Sequence, residues 1–150
     1  MTTIRIARPE DYENWLPLWD GYNRFYGRFD ATALPLEVTQ STWRRFLDDA
    51  EPMHANVAVE EGRIVGLVHF LYYRNMTRIA PVCYLSDLFT LPEVRGRGVG
   101  RKLIESVYEA ARARGAPRVY WHTKADNAAA RHLYGTLAKH EGFIVYSRDL

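Results

Sequence analysis

The spacing of apolar residues changes several times along the chain, and each change marks a new element of secondary structure. Alternation over residues 3–7 predicts a strand, and Pro9 opens a helix whose aromatic residues recur every three or four positions until Gly27. A second short helix is predicted after Pro35. The other predicted elements, in chain order, are strands over residues 56–60, 63–71 and 82–90, a helix over 98–114, a strand over 118–122, a helix over 128–139 and a last strand over 143–146.

The order of these elements predicts an α/β protein. Two helices follow the first strand, a meander of three strands comes next, and the second half alternates helices with strands. No repeat, low-complexity tract or linker interrupts the 150 residues. We therefore expect one domain over residues 1–150, in which antiparallel strands and crossover units share a sheet.

Composition and charge exclude several classes of protein. The chain is 47% hydrophobic and 25% charged, which is enough apolar surface for a core, and its net charge of +2 is too small for a duplex-binding surface. Cys83 is the only cysteine, so no intramolecular disulfide can form and a reducing compartment, the cytoplasm, is expected. The five histidines lack metal-ligand spacing, and no apolar run has the length of a membrane span. We expect no metal, no membrane and no nucleic acid.

The segment between the strand over 82–90 and the helix over 98–114 is rich in glycine and arginine. Its glycines carry no Cβ, so a ligand can approach the backbone, and the first N–H groups of the following helix point outward. Against the single acid Glu93, the segment has four cations, Arg95, Arg97, Arg101 and Lys102. This turn predicts a cradle for an anion such as a pyrophosphate.

The glycine spacing does not match the two common nucleotide-binding loops. A Walker loop needs Gly-Lys followed by Ser or Thr, whereas Gly100 is followed by Arg101-Lys102-Leu103. A dinucleotide fingerprint needs G-x-G-x-x-G, which Gly96-Arg97-Gly98-Val99-Gly100 does not provide. From these residues alone, a glycine-rich connection with a solvated arginine cluster stays open.

Two motifs together give a more specific interpretation. The segment Arg95-x-x-Gly98-x-Gly100 resembles the coenzyme A loop of the GCN5-related N-acetyltransferases (GNAT), and the run Asn127-Ala128-Ala129-Ala130-Arg131-His132-Leu133-Tyr134 resembles that family's later helix. The resemblance implies the GNAT fold, a mixed, mostly antiparallel twisted sheet with a V-shaped splay between strands 4 and 5, flanked by about four helices. Within the family, the chain most resembles the branch with fungal histone and polyamine acetyltransferases and diamine acetyltransferases.

The resemblance also assigns residues to acetyl-CoA. The backbone of Leu88, Phe89 and Thr90 is expected to bond the acetyl and pantetheine groups, and Asn127 to bind pantetheine. Tyr134 is expected to be the general acid at the sulfur, although a tyrosine beside Leu133 can equally be structural. The pyrophosphate is assigned to the loop and the helix start, that is, Val94, Arg95, Gly96, Arg97, Gly98, Val99, Gly100, Arg101 and Lys102.

On the acceptor side the chain departs from the family pattern. Diamine acetyltransferases of the family often show Leu-Glu-Asp where this chain has Leu85-Ser86-Asp87, so the proposed glutamate base is replaced by Ser86. Asp87 is then the candidate, as a base acting directly or through water, as a binder of a cationic substrate, or as a loop cap. Strand alternation predicts that its side chain faces away from that of Ser86. The residues expected around the substrate are Trp19, Tyr22, Tyr26, Tyr72 and Asp87.

These assignments predict an acetyl-CoA-dependent N-acetyltransferase. Its acceptor is expected to be a primary amine of a small molecule, resembling a polyamine, an amino acid or an aminoglycoside, or of a basic peptide. A homo-oligomer, a dimer or larger, is implied by the resemblance. Two alternatives remain, a CoA-binding sensor or interaction domain with little catalysis, and a nucleotide-binding or RNA-binding module that depends on the arginines of the loop alone.

Overall fold

The computed structural model describes all 150 residues and contains five strands and four α-helices. The elements in chain order are β1 (Thr3–Ile6), α1 (Tyr12–Phe25), α2 (Leu36–Phe46), β2 (Met53–Glu60), β3 (Arg63–Tyr73), β4 (Val82–Thr90), α3 (Val99–Arg114), β5 (Val119–Tyr120) and α4 (Ala128–Leu137). Short 3₁₀ turns precede α1 and α3. Every predicted element up to α4 is present, and the predicted mixed sheet with four helices is confirmed.

The five strands form one sheet in the order β1-β2-β3-β4-β5. The first three pairings are antiparallel and β4 pairs with β5 in parallel, as expected for a chain that crosses over through a helix. Aromatic side chains of α1 and α2 cover one face of the sheet, with Trp15 fully buried there. Leu103, Ile104 and Val107 of α3 cover the other face.

The last pairing in the sheet is very short. β4 and β5 are paired only at Cys83 with Val119 and at Tyr84 with Tyr120. From Leu85 to Thr90, β4 pairs with β3 on one side and has no strand on the other. This opening is the V-shaped splay that the family resemblance implies, and it leaves one backbone edge of β4 free for a ligand.

A bulge in β4 changes which side chains share a face. Asp87 pairs with His69 and Leu85 pairs with Phe70, so Ser86 between them has no partner in β3. The extra residue resets the alternation, and the side chains of Ser86 and Asp87 both line the same cavity beneath α1. The prediction that these two residues face opposite ways is therefore wrong.

The C-terminal prediction is also wrong. No strand forms over residues 143–146, and β5 has only two of the five expected residues. Phe143, Ile144, Val145 and Tyr146 are 81%, 73%, 68% and 87% exposed. A strand needs a neighbour to accept its hydrogen bonds, and this apolar segment has none within the chain. None of the helices is both long and apolar enough to cross a membrane.

Candidate active site

A chain of hydrogen bonds links α1, β3 and β4 beneath the first helix. The indole Nε1 of Trp15 donates to Nε2 of His69 over 3.0 Å, and Nδ1 of His69 lies 2.9 Å from Oδ2 of Asp87. The imidazole is only 2% exposed and the carboxylate 16%. Three residues distant in sequence thus form one hydrogen-bonded chain, and its last member, the Asp87 carboxylate, lines a cavity.

The partners of His69 determine where its proton lies. An indole N–H can only donate, so Nε2 must offer its lone pair to Trp15. The hydrogen of the neutral imidazole then sits on Nδ1, from which it is donated to Asp87. His69 therefore orients the carboxylate and is not itself free to take a proton from a substrate.

Asp87 is the charged group of this site. Burial acts to raise its pKa, but hydrogen bonds from His69, Tyr22 and Ser86 outweigh burial and hold the pKa below its usual range. The carboxylate in turn acts on its neighbours, since burial and the Asp87 charge raise the pKa of both Tyr22 and Tyr26. At neutral pH an ionised carboxylate thus faces two protonated phenols.

The cavity beside Asp87 has a volume of about 400 Å³ and lies between α1, α2 and the sheet. Trp19, Phe46 and Leu34 form apolar parts of its wall, and Asn23 and Arg28 contribute polar parts. The close packing of α1 against β4 helps to shape it, because a Cβ at Gly21 would lie 2.7 Å from the ring of Phe89. A cavity of this size suits a small organic molecule.

The glycine turn leaves a row of backbone donors without acceptors. Gly98, with φ of +82°, begins α3 without a capping side chain, and the first bond of the helix runs from Lys102 to its carbonyl. The N–H groups of the six consecutive residues from Gly96 to Arg101 donate to no group in the protein. Such a row at the positive end of a helix fits the phosphates of a coenzyme.

Side chains of the loop contribute less than the sequence suggested. Arg95 is turned back to the carbonyl of Thr90, at 3.1 and 3.2 Å, and Arg97 pairs with Glu60 on the surface. Val94 is in the core, and its N–H already donates to the Leu91 carbonyl. The Val94 amide and the Arg95 and Arg97 side chains are thus each bonded within the chain, and their expected contacts with pyrophosphate stay predictions.

Arg101 and Lys102 remain beside the free amides. Arg101 donates to the hydroxyl of Thr136 in α4 over 2.7 Å, so its guanidinium is anchored at the start of α3. The ammonium group of Lys102 makes no hydrogen bond or ion pair within the chain. Two cations and a row of backbone donors thus meet at one end of the splay.

Tyr134 and Asn127 lie on α4 and at its start. Burial, followed by the nearby Tyr26 phenol, raises the pKa of Tyr134 to about 12. Its hydroxyl has no hydrogen-bond partner in the protein, and its ring packs edge-on against Trp121 at 5.4 Å. Asn127 donates to Thr123 at 3.2 Å. The phenol is thus protonated and free to donate to a ligand.

Tyr26 connects the two halves of the site. In addition to burial, the charge of Asp87 raises the pKa of Tyr26, and Tyr26 in turn raises the pKa of Tyr134. Its ring lies 4.9 Å from that of Tyr22, which faces the carboxylate. The cavity beneath α1 and the opening between β4 and β5 are therefore neighbours.

The match to known proteins agrees with this arrangement. Residues 12–138 match the Acetyltransferase (GNAT) family. The chain belongs to the GNAT acetyltransferases. Across 148 residues it is 34% identical to the D-amino-acid N-acetyltransferase HPA3 of Saccharomyces cerevisiae, covering 97% of this chain and 89% of the relative. It is thus an N-acetyltransferase enzyme that acts on amines.

Further relatives and solved structures match over shorter lengths or in fold alone. A thialysine N-epsilon-acetyltransferase of Caenorhabditis elegans is 30% identical over 87 residues, 55% of this chain and 54% of the relative. A structure of AAC(6')-Iy in complex with a bisubstrate analog superposes with a TM-score of 0.84 at 20% identity, covering 100% of this chain and 99% of that one. The GNAT fold is confirmed by this likeness.

The sequence-predicted acceptor residues do not all meet in this GNAT site. Trp19 lines the cavity, and Tyr22 and Tyr26 lie near the Asp87 carboxylate. Tyr72 lies on the opposite face of the sheet, 5% exposed in the core under α3, with Arg114 4.5 Å above its ring. Successive side chains in a strand point to opposite faces. Tyr72 stands three positions after His69 and therefore points away from the cavity.

Sequence reasoning missed two residues of the site. His69 lacks metal-ligand spacing, and its signal is its place as a lone histidine inside an otherwise apolar strand, which indicates a buried partner. Arg28 lines the cavity and carried no signal, because it stands in a polar stretch after a predicted helix. Cys83 is a core residue, and burial raises the pKa of its thiol to about 12, which leaves it inert as a nucleophile.

Proposed function

We propose that this protein transfers the acetyl group of acetyl-CoA to the primary amine of a small molecule bound beside Asp87. The observation that carries the proposal is the position of the carboxylate, in a cavity that adjoins the open edge of β4. Relatives named for D-amino acids and thialysine as acceptors support an amine. A basic peptide fits less well, because the cavity lies beneath two helices.

Acetyl-CoA fits the free donors of the chain. The amides from Gly96 to Arg101, with Arg101 and Lys102, would hold its pyrophosphate, and the unpaired edge of β4 at Leu88 and Phe89 would align its pantetheine. Asn127, at the start of α4, would bond the same arm. When bound, acetyl-CoA supplies a thioester whose carbonyl carbon accepts the amine and whose sulfur leaves.

Asp87 binds and orients the amine. An aliphatic ammonium has a pKa of about 10.4, so transfer of its proton to an ordinary carboxylate, with a pKa of about 3.9, would cost about 9 kcal/mol. That is more than half of the barrier of about 16 kcal/mol for a turnover of about 10 s⁻¹. The lowered pKa of Asp87 makes this transfer harder still. The acceptor therefore reacts as the free amine, after its ammonium form has lost one proton to solvent. Asp87 holds the nitrogen in place and accepts, through water, the second proton, which becomes acidic as the new C–N bond forms.

Tyr134 donates a hydrogen bond to the sulfur. With a pKa of about 12 the phenol keeps its proton, whereas a thiol has a pKa of about 8.5. Complete transfer to a free thiolate would therefore be uphill by about 5 kcal/mol. The phenol stabilises the charge that develops on the sulfur, and its Oη–H is the general acid to the extent that the proton is shared.

We also propose a homodimer formed through the C-terminal segment. Residues 143–146 present four consecutive exposed apolar side chains, and β5 is an edge strand with its outer side unpaired. A second copy supplies both halves of this contact at once, with the segment of each chain added to the sheet of the other. No other exposed apolar run of this length occurs in the chain.

Light scattering after size exclusion tests the dimer. Wild type is expected at twice 17.4 kDa, and Ile144→Asp at 17.4 kDa because a buried charge at the contact is costly. Met76→Asp, at an apolar residue that is 99% exposed in another loop, serves as the control and should stay dimeric. A monomeric wild type would contradict the proposal.

Release of free CoA thiol from acetyl-CoA tests the reaction. The acceptors to be compared are leucine in both configurations, lysine, spermidine, an aminoglycoside and a histone-tail peptide. Turnover that needs both acetyl-CoA and a small amine supports the proposal. Binding of CoA without turnover on any acceptor would instead favour the sensor function, and no binding of CoA would refute the cradle.

A further inference from the structure

The cavity beside Asp87 also contains a cation. Arg28 follows α1 and lines the same cavity as the carboxylate. Both charges act on the phenols of Tyr22 and Tyr26. Burial raises the pKa of each phenol, the charge of Asp87 raises it further, and the charge of Arg28 lowers it. The cavity thus carries one fixed negative and one fixed positive charge along a mostly apolar wall.

The guanidinium of Arg28 is held in place by neighbouring groups. Its Nε donates to Oδ1 of Asn23 over 2.6 Å, and its backbone N–H donates to the Asn23 carbonyl over 2.8 Å. Asn23 is 4% exposed, and its own Nδ2 is bonded to the carbonyl of Trp19 at 2.9 Å. The guanidinium also lies over the rings of Tyr22 and Tyr26, at 5.8 and 5.5 Å.

The outer nitrogens of Arg28 have no partner. No carboxylate of the chain lies within 4 Å of this arginine, and neither Nη makes a hydrogen bond. Elsewhere Arg5, Arg63 and Arg97 each pair with an acid. A fixed guanidinium with two parallel free donors is the arrangement that binds a carboxylate through two bonds.

We propose that Arg28 is an anion subsite that selects acceptor amines carrying a carboxylate. This inference rests on the proposed function and names its substrate class, a zwitterionic amino acid. The carboxylate of the substrate binds the Nη atoms of Arg28 while its amino group lies beside Asp87. A polyamine, with positive charge at both ends, would place one cation against Arg28 and is disfavoured.

A matched pair of acceptors tests the subsite. Leucine and 3-methylbutylamine differ only by the carboxylate. In wild type the kcat/KM for leucine should exceed that for the amine at least about 10-fold. Arg28→Gln should lower kcat/KM for leucine about 10- to 100-fold, mainly through KM, and leave the amine unchanged. Arg28→Lys keeps the charge without the paired donors and should fall between the two.

Arg24→Gln is the matched control. Arg24 lies in the last turn of α1, exposed over the ring of Phe29 at 4.9 Å and outside the cavity, so its loss should affect neither acceptor. Calorimetric titration of leucine in the presence of CoA gives a second readout, in which Arg28→Gln should weaken binding by the same factor.

Two results would overturn the subsite and one would overturn the reaction. The first is an equal kcat/KM of wild type for 3-methylbutylamine and leucine, and the second is an equal fall in kcat/KM for both acceptors in Arg28→Gln. Either result would mean that Arg28 does not bind the carboxylate of the acceptor, although the enzyme is an amine acetyltransferase. Absence of thiol release with every acceptor refutes the proposed function, and the calorimetric titration still decides whether leucine binds through Arg28.

Discussion

The indole of Trp15 and the imidazole of His69 are joined by a 3.0 Å hydrogen bond inside the aromatic core beneath α1. Because the indole can only donate, this bond fixes the hydrogen of His69 on the nitrogen that faces Asp87. A core residue thereby orients the carboxylate of the candidate active site. Such a partner, outside the cavity, is expected to affect both stability and catalysis.

Removal of the indole donor tests this link. Trp15→Phe leaves the buried Nε2 of His69 without a partner, whereas Trp43→Phe removes a similar volume from the same cluster and breaks no hydrogen bond. The free energy of unfolding should therefore fall about 1–3 kcal/mol further for Trp15→Phe. Urea unfolding of both variants measures the difference. Equal losses would mean that the hydrogen bond contributes nothing.

Asp87→Asn should impair the acceptor side alone. The substitution keeps the shape and removes the charge that binds the amine, so kcat/KM for the best acceptor should fall about 100-fold or more while acetyl-CoA affinity changes less than about 3-fold. Asp20→Asn removes an exposed acid of α1 and is the control. Steady-state kinetics measures kcat/KM, and calorimetry measures the affinity for acetyl-CoA. Equal activity of both variants would remove Asp87 from the mechanism.

The pH dependence of activity follows from the pKa of Asp87. Its pKa in the folded protein is below the ordinary value of about 3.9, so the carboxylate stays ionised above pH 4. Protonation of Asp87 therefore limits activity only below about pH 4. Between pH 6 and 10, kcat/KM should rise as the acceptor loses its proton. Acceptors with lower ammonium pKa values should shift the rise to lower pH by the same amount. A rise that is the same for all acceptors would point to a group of the enzyme.

Tyr134→Phe should lower turnover without loss of CoA. The phenol makes no bond within the protein, so its removal deprives the sulfur of a donor and should reduce kcat about 100-fold at unchanged CoA affinity. Tyr108→Phe is the control, since its hydroxyl serves only the carbonyl of Leu137, at 3.0 Å, behind α4. A structural role alone for Tyr134 would instead lower stability and leave kcat intact.

Gly98→Ala should weaken acetyl-CoA binding. The residue has φ of +82°, which costs an alanine about 1–2 kcal/mol, and its Cβ would occupy the approach to the free amides. Gly62→Ala is the matched control, because that glycine has φ of +75° in the β2–β3 turn and open space around it. Both variants should lose similar stability, and only Gly98→Ala should weaken CoA binding, by about 10-fold or more. Calorimetric titration distinguishes them.

The helices and the longer strands could be predicted because their signals are local. The aromatic spacing from Trp15 to Tyr26 and the run over β4 each specify an element from neighbouring residues. The C-terminal run of apolar residues carries the same signal and forms no strand. Its hydrogen bonds need another strand alongside, and the sequence cannot say whether one is present.

The site was predicted in part, for a related reason. The glycine turn is one continuous segment, so the free amides from Gly96 to Arg101 could be inferred from their order. The bulge at Ser86 could not, because a bulge exists only in the register between two strands. One unpaired residue decided that Asp87 faces the cavity together with Ser86.

The sequence alone determined the GNAT family, the order of the elements and the glycine turn with its free amides, since each depends on residues close together in the chain. Only the tertiary structure decided that Trp15, His69 and Asp87 form one hydrogen-bonded chain and that Arg28 shares their cavity. Those contacts join segments separated by up to 72 positions, and pairing register and helix packing, which no local pattern encodes, bring them together.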